Sequence, residues 1–297
     1  MSVVHGFGQR LRQVLADSNQ LAQAVGLGSA PIVQPTSGRA QVIAVAAQKG
    51  GVGKTTTAVH LAAGLAMYHH LQVLLIDLDN QGHVASSLRS HLRASASQTV
   101  SSTLMQPEPD LAAAVLPTQI PGLSITSADK QLGQTEAMLA ARIGRELLLQ
   151  RALRNVRGQF DVIVLDCPPN LGLLTLNALS AADHVLIPCD LSVLALEGVD
   201  DLLRTLDQLQ WSLGRSPNLL GLLHTRVDKR NQKQNAAIRR AVADKYAGLP
   251  LHSEIAVNTA ISGAQLNGAC VFADAPESAG ARDYTALAAE IFGRLRK

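Results

Sequence analysis

The stretch QVIAVAAQKGGVGKTTTAVHLAAG, residues 41–64, decides how the chain folds. Its first part, Val42–Ala47, is an aliphatic run of strand character, and a helix follows over 54–69. Between them Gly50, Gly51 and Gly53 let the backbone curl so that successive N–H groups converge on an anion, because glycine enters the φ > 0 region at little cost and has no Cβ. The helix start adds the positive end of its dipole, roughly half an elementary charge. Gly53-Lys54-Thr55 closes the pattern G-x-x-x-x-G-K-[ST], whose lysine reaches the β- and γ-phosphates and whose hydroxyl sits on Mg²⁺. Thr56 is placed to meet the α-phosphate, and Val52 completes the candidate nucleotide contacts. Two features depart from the pattern. Gln48 stands where its first glycine belongs, and a second lysine, Lys49, precedes Lys54 by five residues.

A magnesium nucleotide site also needs carboxylates at the carboxyl ends of neighbouring strands, where ligands gather in open α/β sheets. LLIDLDNQG, residues 74–82, ends a strand with Asp77 and then Asp79, and DVIVLDCPPN, residues 161–170, ends another with Asp166. Mg²⁺ keeps near-octahedral oxygen ligation and several waters, so Asp77 and Asp166 read as holders of metal-bound water. Asp79, beyond the strand end, is the candidate to orient or deprotonate the attacking water.

Further along, short aliphatic runs alternate with helical segments, as they do when strands are buried on both faces. The expected strands are Val42–Ala47, Gln72–Ile76, Leu123–Thr126, Asp161–Leu165, His184–Pro188 and Leu219–His224. Helices are expected at 54–69, 134–156, 172–181, 195–213, 232–247 and 279–296. The fold class is therefore α/β, a mostly parallel twisted sheet with helices on both faces. Residues 1–40 read as an amphipathic helix on a Gly/Pro/Ser linker, either packed on the domain or poorly ordered, or else docking a partner, and 41–297 as the main domain. The Ser-rich segment Ser86–Ser102 reads as a surface connection.

Of the 297 residues, 47% are hydrophobic and 16% charged, and no apolar run approaches the roughly 20 residues that span a bilayer. With no basic-then-apolar leader, a cytosolic protein is expected. Cys167, Cys189 and Cys270 lack metal-type spacing and read as reduced core residues. The net charge of +3 does not by itself argue for nucleic acid. The densest basic run, Arg226, Lys229, Arg230, Lys233, Arg239, Arg240 and Lys245, reads either as a solvated helix face or as a binding patch. His69-His70 reads as a favourable cation at a helix carboxyl end, and Trp211 as a core residue rather than a stacking platform.

KGGVGKTT at 49–56, VLLIDLDNQG at 73–82, FDVIVLDCPP at 160–169, LALEG at 194–198 and GARDYTALAAEI at 280–291 together resemble the ParA/MinD family of deviant Walker A ATPases, and ParA (Soj-like) partition proteins most closely. The resemblance spans residues 41–297 and implies a P-loop NTPase fold, ATP and Mg²⁺ as cofactors, and an ATP-dependent homodimer in which Lys49 crosses to the other subunit's nucleotide. That is the work of an arginine finger supplied by a partner. It further implies catalytic roles for Lys49, Lys54 and Asp79, and places Thr225 and Asp228 facing adenine. A ParB-like partner that stimulates slow hydrolysis, unspecific DNA, and a cytoplasmic, nucleoid-associated location complete the expectation. This chain departs from the family at 255–265, IAVNTAISGAQ, where the arginine used for unspecific DNA contact and the usual proline loop are missing. DNA contact then falls to Arg226, Lys229, Arg230, Lys233, Arg239 and Arg240.

A MinD-like membrane-cycling ATPase is the alternative, because Leu287, Ile291, Phe292 and Leu295 share one side of the last helix with Arg294, Arg296 and Lys297 nearby. The same helix reads more readily as packing on its own sheet, which leaves a membrane as the less expected partner. A cluster-bridging reductase needs differently placed cysteines, and a bacterial tyrosine kinase needs clustered tyrosines where this chain has only Tyr68, Tyr246 and Tyr284.

Overall fold

A computed structural model describes residues 39–92, 97–126 and 130–296. The amino-terminal helix expected within 1–38 lies outside them, as does part of the Ser-rich segment. Among the described residues eight strands form one sheet in the order β3-β4-β2-β5-β1-β6-β7-β8. They are β1 Gln41–Val45, β2 Val73–Asp77, β3 Leu116–Pro117, β4 Leu123–Thr126, β5 Val162–Asp166, β6 His184–Asp190, β7 Asn218–Val227 and β8 Pro250–Ala256. Every neighbouring pair is parallel except β3 with β4.

The pleat sends alternate side chains to opposite faces, and both faces are apolar. Val42 and Ala44 of β1 and Leu74 and Ile76 of β2 join one core, while Ile43, Val45, Val73 and Leu75 join the other. The second core holds α1, Lys54–His69, and the carboxyl-terminal helix α11, Ala279–Leu295. The first holds α5 Leu148–Ala152, α6 Leu173–Ala181 and the buried stripe of α7, Val193–Leu213.

Six expected strands are present, two of them longer than the sequence indicates, and β3 and β8 are additional. β8 is an edge strand whose middle reads His252-Ser253-Glu254, so its apolar signal is faint. The long helix expected over 134–156 is broken into α4 Leu132–Leu139, a 3₁₀ turn at Arg145–Leu147, and α5. α4 ends at Leu139, five residues before Gly144, whose left-handed φ of +68° starts the 3₁₀ turn beside a fully exposed Ile143. Short helices α2 His83–Ser87 and α3 Val100–Leu104 lie within or beside the Ser-rich segment, and α8 Gln232–Lys245, α9 Thr259–Asn267 and α10 Val271–Asp274 complete the set.

Trp211 is not in the core. It is 90% exposed, because the buried stripe of α7 runs through Val199, Leu202, Leu206 and Leu209, and two further residues turn the chain to the opposite side. His69 is not a cation either: its ring stacks on Phe292 at 4.2 Å, and burial, with His70 adding, pushes it down to about 4.

The helix expected to choose between membrane and sheet lies on the sheet. Leu287 and Ile291 are fully buried and Phe292 and Leu295 pack on the same core. Its seat is α1, where His60 stacks on Tyr284 at 4.5 Å and a Cβ at Gly64 would meet that of Ala288 at 2.9 Å. The motif GARDYTALAAEI is thus a packing motif, holding the helix that begins with Lys54. No helix among the described residues is long and apolar enough to cross a membrane.

Candidate nucleotide site

Register places the site. Asp77 lies opposite Asp166 across β2 and β5, and Val45 opposite Asp166 across β1 and β5, so both carboxylates stand beside the loop that leaves β1. In that loop Gly51 and Gly53 adopt φ of +74° and +83°, which side chains resist, and the Gly53 carbonyl accepts the Thr57 N–H at 2.8 Å to begin α1. Val52 points its side chain into the core, so only its backbone belongs to the loop. Lys54 is buried and donates from Nζ to the Lys49 carbonyl at 3.1 Å, closing the loop on itself. Burial lowers its ammonium pKa, with Asp166 and Asp79 pulling the other way.

Asp166 is fully buried, and neither oxygen makes a well-formed hydrogen bond among the described residues, although the Thr55 hydroxyl lies close to it. Burial, then Asp77, push its carboxyl well above the usual range; the Thr55 hydroxyl and Lys54 offset this only in part. Asp77, also fully buried, is pushed up to about 7, chiefly by burial. Leaving a buried carboxylate unpaired is costly, so opposed carboxylates beside Thr55 fit a divalent cation that would neutralise them. Asp77 is more occupied than the sequence implied. Its Oδ1 accepts the Asp79 N–H at 3.0 Å and its Oδ2 the Val84 N–H at 3.1 Å. It therefore braces the turn after β2, and Asp166 with Thr55 is left as the pair open to metal. Asp79, nearly buried, accepts the Gln81 N–H at 3.1 Å and is aimed by that brace.

Three residues expected to meet ligands make contacts within the protein. Thr225, expected to face adenine, is buried and donates from Oγ1 to the Val52 carbonyl at 2.8 Å, bracing the loop from β7. Asp228 holds the Arg230 guanidinium, whose hydrogen bonds keep its carboxyl at about 2. Arg226, expected on DNA, adopts a left-handed φ of +52° and donates from Nη1 to the Gly51 carbonyl at 2.9 Å. Thr56, whose carbonyl receives His60 Nδ1 at 2.7 Å, is tied to α1 as well as to the loop.

Lys49 does not turn into its own loop. Its Nζ donates to Asp190 Oδ2 at 2.8 Å and Ser192 Oγ at 3.2 Å. The sequence carries a sign of Asp190, a carboxylate at the carboxyl end of a strand like Asp77 and Asp166, but the strand expected from the sequence stops at Pro188, two residues short of the observed end of β6. Gly198 of α7 lies against the start of the loop, where a Cβ would sit 3.9 Å from the Lys49 nitrogen.

Comparison with known proteins agrees with this geometry. A family model described as an AAA domain matches residues 40–218. The sporulation initiation inhibitor protein Soj of Bacillus subtilis is 38% identical over 251 residues, covering 84% of this chain and 98% of Soj. The chain belongs to the ParA/Soj family of P-loop ATPases. The chromosome partitioning protein ParA of Caulobacter vibrioides is 36% identical over 258 residues, 86% of this chain and 95% of that one. Among solved structures, one titled cobyrinic acid a,c-diamide synthase from Mycobacterium smegmatis, with bound ADP and magnesium, superposes with a TM-score of 0.72. It is 36% identical and covers 87% of this chain and 96% of its own. In this ParA-family chain the glycine loop, the D-x-D turn and the strand-end aspartate meet at one rim, where Asp190 also holds Lys49.

Proposed function

We propose that this ParA-family ATPase binds MgATP, pairs face to face with a second copy of itself, and holds DNA unspecifically in that form. It would thereby position or segregate DNA or another large cargo over the nucleoid, until a ParB-like partner stimulates hydrolysis. The loop N–H groups and Lys54 hold the phosphates; Thr55 and Asp166 hold Mg²⁺, with Asp77 steadying the turn beside them. The metal held there would neutralise charge on the phosphate oxygens. Asp79 orients the attacking water and takes up its proton, and Lys49 reaches the nucleotide of the opposite protomer.

The observation that carries this reading is that the Lys49 ammonium is not used by its own loop: its carbonyl serves Lys54 while its side chain turns away to the rim. A cation presented there is available to a second protomer. Sizing of the full chain carrying Asp79→Ala, with MgATP and with MgADP, tests it. A dimer is expected with ATP only, and none when Lys49→Ala is added. Dimers that form regardless of nucleotide would defeat the proposal.

A further inference from the structure

Asp190 ends β6 on the same rim as Asp77 and Asp166, but it serves the other lysine. Oδ2 accepts from Lys49 Nζ at 2.8 Å, Oδ1 accepts from Ser192 Oγ at 2.7 Å, and the two side chains of the ion pair are 35% and 28% exposed. The pair lies at the mouth of the site, neither sealed nor fully solvated. Burial would raise the Asp190 carboxyl, yet Lys49 and Ser192 outweigh it and the net direction is down, so the group is charged at neutral pH; Arg226 adds to the same effect.

Nothing in the loop's path depends on this pair. Lys54 holds the Lys49 carbonyl, Arg226 the Gly51 carbonyl and Thr225 the Val52 carbonyl, while Asp190 itself is registered in the sheet opposite Thr225. What the carboxylate fixes is the direction of one ammonium group.

We propose that Asp190 is a positioning residue that keeps Lys49 within its own protomer and must release it when two protomers close on ATP. The proposal rests on the crossing of Lys49 put forward above. One ammonium cannot stay in contact with Asp190 and neutralise a polyphosphate in the other protomer. The exchange trades a single carboxylate for a more highly charged anion, and a diphosphate offers less in return than a triphosphate. Asp190 thereby sets a threshold against closing without ATP. A partly exposed ion pair shifts an equilibrium by roughly two- to fivefold. A symmetric dimer opens two such pairs, so removing the hold raises the association constant by roughly four- to twenty-fivefold.

The test is sedimentation of the full chain at fixed salt with MgATP, in the Asp79→Ala background, comparing Asp190, Asp190→Asn, Asp190→Glu and Lys49→Ala, with a melting curve for each. The expected result is a four- to twenty-fivefold tighter dimer for Asp190→Asn, a return toward the parent for Asp190→Glu, and melting temperatures within about 4 °C of one another. If Lys49→Ala abolishes the dimer while Asp190→Asn leaves it unchanged or weaker, the hold is refuted and the crossing stands. Loss of melting temperature and dimer together in Asp190→Asn would give Asp190 a structural role and refute it too. If Lys49→Ala dimerises like its parent, the crossing itself fails and takes this proposal with it.

Discussion

The basic segment expected to meet DNA is divided by the structure, and the division sets a salt dependence. Arg226 is engaged with Gly51, Arg230 with Asp228, and Arg239 bidentately with Glu254 at 2.6 and 2.7 Å. Lys229, Lys233 and Arg240 are exposed and form no ion pair among the described residues. Lys233 and Arg240, two helical turns apart, share one face of α8. A cation paired with a carboxylate, as Arg230 and Arg239 are, or turned back onto the loop, as Arg226 is, is not presented to DNA, so on the proposed reading each protomer would bring three contacts and a dimer six. At about −0.9 per phosphate in log K against log salt, the slope is about −5 for the dimer and about −3 for a monomer. Raising salt from about 50 to about 200 mM then weakens the dimer by roughly a thousandfold or slightly more and the monomer by only about fortyfold. Lys233→Ala or Arg240→Ala removes two contacts per dimer and flattens the slope to about −4, whereas Arg239→Ala leaves it unchanged. Fluorescence anisotropy of a labelled duplex of arbitrary sequence, with the Asp79→Ala chain and MgATP across that salt range, measures each slope. Slopes indifferent to Lys233→Ala and Arg240→Ala, or flattened equally by Arg239→Ala, would refute this assignment.

Other outcomes follow from the same geometry. Gly53→Ala forces a side chain into φ +83° and is expected to lose roughly 1–2 kcal/mol of stability together with nucleotide binding, whereas Gly50→Ala, with open space around its Cβ, keeps its melting temperature. His60 is fully buried, bonded to the Thr56 carbonyl and the Val271 N–H, and held at about 4, chiefly by burial. Its folded value is depressed, so the stability it gives by staying neutral is complete above about pH 6.5 and lost as pH falls toward 4, a loss of about 3 kcal/mol. Urea unfolding of the nucleotide-free protein should show that loss, and His60→Leu should lack it. Asp166 works the other way, since its folded value is raised: its destabilising effect is absent below about pH 4 and grows as pH rises. Asp166→Asn should thus melt increasingly above the parent as pH increases while losing all stabilisation by MgADP; a constant difference would argue against the buried charge. Gly64→Val drives a side chain into Ala288 across the contact between α1 and α11 and is expected to cost about 1–3 kcal/mol in urea unfolding.

The sequence alone determined the parallel sheet, the glycine loop after β1 and the carboxylates at the ends of β2 and β5. These are local matters: a strand buried on both faces must be aliphatic along its length, a backbone cradle must be glycine, and the residue ending a strand is read directly from the run before it. The same logic failed at β8, whose polar edge hides its periodicity, and over 134–156, where the helix stops at Leu139 and resumes at Leu148 within a continuous helical pattern. Trp211 went astray because the helix was visible but not its rotation against the sheet.

Only the tertiary structure decided what the residues at the rim hold. Thr225, Arg226 and Asp190 are more than 130 residues from the loop in sequence, yet β6 and β7 bring them to it. The family motifs mark Lys49 as special, but where its ammonium points depends on the end of β6, five strands on from β1 in chain order and adjacent to it in the sheet. Hydrogen bonds and ion pairs act over about 3 Å in space with no regard for sequence separation, and so the loop could be recognised from its own residues while its supports could be seen only once the strands were set side by side.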